Sequence, residues 1–273
     1  MFGLRRHRPC RIELHLMPVA PGEPEDPVDL AVLDESERAR AMRLRRPADR
    51  VLFIRAHALL RRVLSRHAPI DPARWCLVRA EAGKPALCPQ QHPALQALRF
   101  NLSHCAGLVA VALAWEREIG VDVEPVDALQ PDEALARTLL APGEWRHWQA
   151  LVDAHGVDGV DGMDGGGGGR ARRHFLLTRW TLKEALLKAA GIGLSGLEPA
   201  GLELLPAPNG LWRVQPGRAA LPAALRHWVD GGWLQGGLEA GSHHWALACE
   251  RQAGETIELQ WLRHSSAGVI APG

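Results

Sequence analysis

At 273 residues, with 32 lysines and arginines against 31 aspartates and glutamates, the chain can bury one large core or two smaller ones without metal or disulfide staples. It carries no global charge excess to draw it to nucleic acid or a membrane surface, and its five cysteines, Cys10, Cys76, Cys88, Cys105 and Cys249, form no CxxC pair and leave an odd count, the pattern of a reduced, cytoplasmic chain. The basic opening MFGLRRHRPC runs into RIELHLMPV, where Glu13 and His15 interrupt the apolar run a signal peptide needs, and no stretch approaches the length of a membrane span.

In chain order, Ile12, Leu14 and Leu16 alternate with Glu13 and His15, which predicts a strand with one buried face. Asp34 followed by Glu37 has the spacing of a capping box, and the arginine-rich run through Arg46 is compatible with a helix. From Asp49 to His67, Leu52, Ala56, Leu59, Leu60, Val63 and Leu64 recur at helical spacing while Arg55, Arg62 and Arg66 fall on another side, an amphipathic helix that ends before Pro69. Between Leu98 and Val126 come three β-like runs: the approach to Asn101, LVAVALAW from Leu108, and IGVDVEPV from Ile119. Two of them are expected to pair, with Glu116 and Arg117 as a compact turn. The helical period returns from His174 to Ala190, and Gly191 stands where a C-terminal cap belongs.

FIRAHALLRRV from Phe53 and WTLKEALLKAA from Trp180 share aromatic, ALL and basic positions. This faint self-similarity fits two related α+β halves, and equally two ordinary Leu-rich amphipathic helices. The segment from His155 to Arg170, with its five-glycine run, lacks the side chains for a core and is expected to be a mobile insertion. Its Asp158, Asp161 and Asp164 recur every three residues rather than at the alternate positions of a calcium loop, so metal binding is not assigned there. The division expected is an N-terminal subdomain over 1–119, a C-terminal one over 120–250 holding the insertion 155–170, and a tail over 251–273.

The chemistry-bearing positions lie outside that insertion. In GVDVE, Asp122 and Glu124 are two apart on a strand and share a face. A close pair of carboxylates on a partly buried strand is costly unless a cation or other donors compensate, and hard oxygen ligands suit magnesium beside a substrate's phosphates. A solvated strand face gives the same pattern. In WTLKEALLK, Glu184 and Lys188 are four apart on one helix face. They form either an ordinary surface ion pair or a third carboxylate and a phosphate-neutralising lysine. Ser103 and His104 in RFNLSHC, and Lys84 in EAGKP, read alone as a strand-end turn and a solvated lysine.

Taken together and in this order, GKP, FNLSH, GVDVE and WTLKEALLK resemble the surfactin-type 4′-phosphopantetheinyl transferases, over roughly Asp34 to Gly196. The resemblance implies an α+β fold of two similar subdomains in a pseudo-twofold arrangement, with the active site at their junction near Gly120, and a monomer. It implies that Asp122, Glu124 and Glu184 hold Mg2+ at the pyrophosphate of coenzyme A and that Lys188 assists at the same phosphates. Lys84, Ser103 and His104 are implied at the nucleotide end, with Arg40 and Arg55 as candidates from the early helices. Leu52 and Phe53 depart from the polar or basic contact expected there. The implied reaction moves the phosphopantetheine arm of coenzyme A onto a serine of an apo acyl or peptidyl carrier protein and releases 3′,5′-ADP, with Glu184 as the base. The carrier could serve fatty acid, polyketide or peptide synthesis. Three carboxylates and a lysine would also serve a magnesium-dependent phosphohydrolase. A module that only binds carrier protein or coenzyme A is the non-catalytic alternative. Nucleic acid is disfavoured, because no aromatic-plus-basic stripe is present.

Overall fold

The computed structural model describes residues 9–79, 83–154, 167–193, 197–217, 220–265 and 270–272. Strand β1 (Cys10–Pro18) opens the fold, and the helices α1 (Pro27–Val32), α2 (Glu35–Arg43) and α3 (Pro47–Leu64) follow. The capping box forms as the spacing predicts: Asp34 accepts from the Glu37 N–H and the Glu37 carboxylate accepts from the Asp34 N–H. The arginine run is not one helix, however. It stops at Arg43, and α3 restarts with Pro47 in its first turn, where a missing N–H costs nothing.

A short hairpin, β2 (Leu77–Arg79) and β3 (Pro85–Leu87), precedes β4 (Leu98–Cys105), β5 (Leu108–Trp115) and β6 (Ile119–Pro125). Helices α4 (Glu133–Leu139), α5 (Pro142–Ala154) and α6 (Gly167–Ala190) come next, then β7 (Leu202–Pro206), β8 (Leu211–Pro216), β9 (Gly232–Glu239), β10 (His243–Glu250), β11 (Ile257–His264) and β12 (Ile270–Pro272). Of the expected insertion, 155–166 lies outside the described residues. Gly167 to Arg170 already belong to α6, so that helix begins well before His174.

The strands form two five-stranded sheets, ordered β12-β11-β1-β5-β4 and β6-β10-β9-β8-β7. The fold is α+β. Ile12, Leu14, Leu16, Ala110 and Ala112 from the first sheet pack on Val121, Val123, Trp245 and Leu247 from the second. Leu59, Leu60 and Val63 of α3 cover the first sheet's outer face against Val109 and Val111. Leu182, Ala185, Leu186 and Ala189 of α6 cover the second sheet's outer face against Leu204, Leu234 and Ala246. Each half therefore lays one long helix over one sheet.

Three expectations change. The turn at Glu116, whose φ is 57°, does not join paired strands. It carries the chain from β5, which pairs with β1 and β4, to β6 in the other sheet. The tail supplies β11, which runs parallel to β1 with Leu14 opposite Trp261, so the last strands complete the first sheet. β1 is buried on both faces, because His15 is fully covered and hydrogen-bonds His264 of β11 at 2.9 Å and Glu13 at 3.0 Å.

α6 is set against β6 by a glycine. A Cβ on Gly120 would lie 2.1 Å from the Ala185 carbonyl oxygen and 2.4 Å from the Ala189 nitrogen, so only glycine permits this approach. The helix ends in a Schellman motif, with Gly191 at φ 68° and bonds from Ile192 N to Leu187 O and Gly191 N to Lys188 O. Among the described residues, no helix is long and apolar enough to cross a membrane.

Candidate active site

β6 turns Val121 and Val123 into the core between the sheets and Asp122 and Glu124 toward α6. On α6, Leu182, Ala185, Leu186 and Ala189 take the buried stripe, and Glu184 and Lys188, one turn apart, stay half-buried beside it. The Lys188 ammonium lies 2.5 Å from Asp122 Oδ1 and donates to Ser103 Oγ at 3.2 Å. The Ser103 hydroxyl donates to the same Asp122 oxygen at 3.0 Å. Three segments far apart in the chain, β4, β6 and α6, thus meet at one carboxylate.

Burial pushes the Asp122 carboxyl above the usual range, against the opposing pull of Lys188 and Ser103. Glu124 is raised by burial first and by the charge of Asp122 second, while the Trp180 indole N–H donates to its Oε1 at 3.2 Å. Glu184 is pushed up to about 7, chiefly by burial, with Lys188 opposing and the Asp122 and Glu124 charges adding to the rise. Glu184 thus feels the charge of both other acids, and Glu124 that of Asp122. Among the described residues they do not stand as a closed ligand set, because Lys188 holds Asp122 and Trp180 holds Glu124. Asp122 Oδ2 and Glu184 Oε1 are nevertheless buried with no hydrogen-bond partner. Such atoms are expensive unless something cationic or protonic faces them. Hard, partnerless carboxylate oxygens are donors of the kind that suits a divalent ion.

A cavity of about 310 Å3 opens beside Lys188, lined by Ser103, His104, Arg40, Phe53, His57 and Arg79. It continues into one of about 470 Å3 that shares Arg40, Phe53, His57 and Arg79 and adds Arg43. The smaller cavity carries the cations Lys188, Arg40 and Arg79, whereas the larger adds Arg43 together with the acids Asp34 and Glu37, so the positive surface suited to a polyanion is concentrated beside Lys188. A separate hollow of about 860 Å3 lies between β9 and β11 around Trp245 and Trp261 and is lined by none of these residues.

Not every expected residue reaches the cleft. Arg40 does, stacked over the Phe53 ring at 5.2 Å. Arg55 instead sits buried among carboxylates, paired with Asp29 at 2.7 Å, Glu23 at 3.2 Å and Asp26 at 3.3 Å, so its charge is already spent in tying the segment around α1 to α3. Lys84 turns its ammonium to Glu118 at 2.9 Å and to the carbonyls of Ile119 and Ala189 at 3.0 and 3.4 Å, joining the hairpin to β6 and the end of α6. Burial lowers its pKa, with Glu118 opposing. Its neighbours Gly83 and Pro85, rather than its amine, line the cleft.

Arg79, His57 and Trp180 were not singled out as site residues by the sequence, whereas Phe53, noted there as a departure from a polar or basic contact, does line the cleft. His57 stacks on Phe53 at 4.1 Å and bonds Glu37 at 2.7 Å, and its signal was the i, i+4 aromatic spacing on α3. Lys183, inside the same motif as Glu184, is fully buried with Glu144 at 2.5 Å and the Leu139 carbonyl at 2.8 Å, and it anchors α6 rather than entering the cleft.

Comparison with known proteins fits this geometry. The family model described as 4'-phosphopantetheinyl transferase superfamily matches residues 118–249, and that described as 4'-phosphopantetheinyl transferase, N-terminal, matches residues 20–116. The chain is 31% identical over 196 residues to the 4'-phosphopantetheinyl transferase HetI of Nostoc sp., covering 71% of this chain and 75% of that protein. The chain belongs to the 4'-phosphopantetheinyl transferase superfamily. As a member it is also 29% identical over 206 residues to the phosphopantetheinyl transferase of Thraustochytrium sp., covering 72% of this chain and 67% of that one. To the 4'-phosphopantetheinyl transferase of Bacillus subtilis it is 25% identical over 178 residues, covering 65% of this chain and 68% of that one.

Proposed function

We propose that this superfamily member transfers the 4′-phosphopantetheine arm of coenzyme A to a serine of an apo acyl or peptidyl carrier protein, releasing 3′,5′-ADP. The observation that carries the reading is the pair of buried, partnerless oxygens, Asp122 Oδ2 and Glu184 Oε1, together with the Lys188 ammonium that holds Asp122 and lines a cavity with Arg40 and Arg79. Asp122, Glu124 and Glu184 would hold a magnesium ion, which supplies neutralisation of the diphosphate charge.

The chain's own residues supply the rest. Phosphoryl transfer asks mainly for positioning and charge stabilisation. Lys188 neutralises a phosphate oxygen, and Ser103 and His104 line the cleft beside it. Arg40 and Arg79 extend the positive surface toward the nucleotide end. The carrier serine oxygen attacks the β-phosphorus, the bond to the bridging oxygen breaks, and its electron pair leaves on 3′,5′-ADP. Glu184, close to this centre, takes the serine proton.

The test mixes the chain with coenzyme A, magnesium and an apo-carrier and weighs the carrier by mass spectrometry. A gain of one phosphopantetheine arm is expected. Turnover of the nucleotide with no gain on any carrier selects a phosphohydrolase, and binding without either change selects a docking module.

A further inference from the structure

The cation on Asp122 and the acid it neutralises differ in freedom. Asp122 is on a paired strand, its side chain 4% exposed, whereas Lys188 is 28% exposed at the end of a four-carbon stem that opens on the cavity with Ser103, His104 and Arg79. The ammonium is thus the movable partner. It holds Asp122 Oδ1, so a metal ion taking the partnerless Asp122 Oδ2 and Glu184 Oε1 would share the same carboxylate with the ammonium.

We infer that Lys188 is a latch on the metal site: seated on Asp122, it weakens divalent-cation binding until a diphosphate in the neighbouring cavity draws the ammonium away. This rests on the reading of Asp122, Glu124 and Glu184 as metal-holding residues. An ammonium and a divalent ion on one carboxylate repel each other, and in a half-buried site that repulsion is poorly screened. A diphosphate facing the cavity offers Lys188 a second acceptor of higher charge than Asp122, and Ser103 Oγ at 3.2 Å lies beside it as a neutral stepping point. Metal and diphosphate are then coupled, each raising the other's affinity. The free protein takes up the metal poorly, and the acids are opened for it only when the substrate's phosphates are in place.

The experiment titrates the full chain with Mn2+ alone, without coenzyme A, and follows free Mn2+ by electron paramagnetic resonance. Lys188→Met is expected to bind Mn2+ about tenfold or more tightly than the unaltered chain, within the usual range of such couplings. Lys188→Arg, which keeps a cation on Asp122, and Arg40→Met, which removes a cleft cation that does not touch Asp122, are expected to stay close to the unaltered chain. Should Lys188→Met not fold, Lys188→Gln carries the same expectation. Mn2+ affinity in the neutral Lys188 variants equal to or weaker than that of the unaltered chain overturns the latch, as does an equal gain in Arg40→Met, which would mark a general field effect. If no variant binds Mn2+ even with coenzyme A present, the metal reading itself fails and the latch falls with it.

Discussion

Asn101 on β4 accepts a hydrogen bond from the backbone N–H of Val121 on β6 at 2.9 Å. Its side chain bridges the two sheets where β4 and β6, edge strands of different sheets, run past each other. The bond fixes the residue immediately before Asp122. Asn101→Ala leaves a buried N–H unsatisfied, and the expected loss is about 1–3 kcal/mol of stability. Transfer should fall several-fold as well, because Asp122 loses its register against Lys188. Urea midpoints and initial rates check the two effects, and an Asn101→Ala protein as stable as the original would show that the bridge contributes little.

Gly120 holds α6 against the same strand. A Cβ there would lie 2.1 and 2.4 Å from backbone atoms of Ala185 and Ala189, which cannot swing aside as a side-chain tip could. Gly120→Ala must push the helix off the sheet, at a cost toward the upper end of about 1–3 kcal/mol, and carry Glu184 and Lys188 away from Asp122. Thermal unfolding is expected to show a large fall in Tm, with transfer lost at temperatures where the variant is still folded.

These two contacts also mark where the sequence is readable. The strand at β1, the capping box at Asp34, the stripe of α3 and the GVDVE face are local patterns, and each forms where spacing predicts, although β1 is buried on both faces rather than one. What spacing did not show came from partners far along the chain. His15 is covered by His264, 249 residues later. Arg55 sits on the side of α3 that looked solvated, yet meets carboxylates 26 to 32 residues earlier. Lys84 reaches a carbonyl 105 residues on. The role of the last strand had a local signal, since Ile257, Leu259 and Trp261 alternate with Glu258 and Gln260, but nothing in that alternation says which strand it will join. At the site, spacing placed Asp122 with Glu124 and Glu184 with Lys188. It could not show that Lys188 takes an oxygen of Asp122, because that depends on how closely α6 approaches β6.

The buried histidine pair makes stability depend on pH. Burial brings His264 down to about 4, with the electrostatic influence of His15 and Arg66 acting the same way. His15 is lowered too, by burial first and against the pull of Glu13. A histidine held neutral in the fold binds its proton more readily when unfolded, so stability is full above about pH 6.5 and declines as pH falls toward 4. The fall of His264 from 6.5 to about 4 corresponds to roughly 3 kcal/mol across that window. Urea midpoints between pH 7.5 and 5 should show a plateau and then a decline, and His264→Asn should flatten the decline by about 1.4 kcal/mol per pH unit. An unchanged slope in His264→Asn would assign the pH dependence to other groups.

Asp122 and Glu184 are expected to separate in stability while agreeing in activity. Glu184 Oε1 has no partner in its buried position, so Glu184→Gln removes a poorly solvated charge and should leave stability unchanged or about 1 kcal/mol higher. Asp122 accepts from both Lys188 and Ser103. Asp122→Asn strands the ammonium, which can still reach water through its exposed side, so the expected cost is a moderate one of about 1–2 kcal/mol. Carrier modification should drop to background in both, because each removes a negative charge from the acid cluster without enlarging or filling the cleft. Mass spectrometry of the carrier alongside denaturant midpoints tells the cases apart. A Glu184→Gln protein that still loads the carrier at the original rate would take Glu184 out of the reaction and leave its burial without a functional cause.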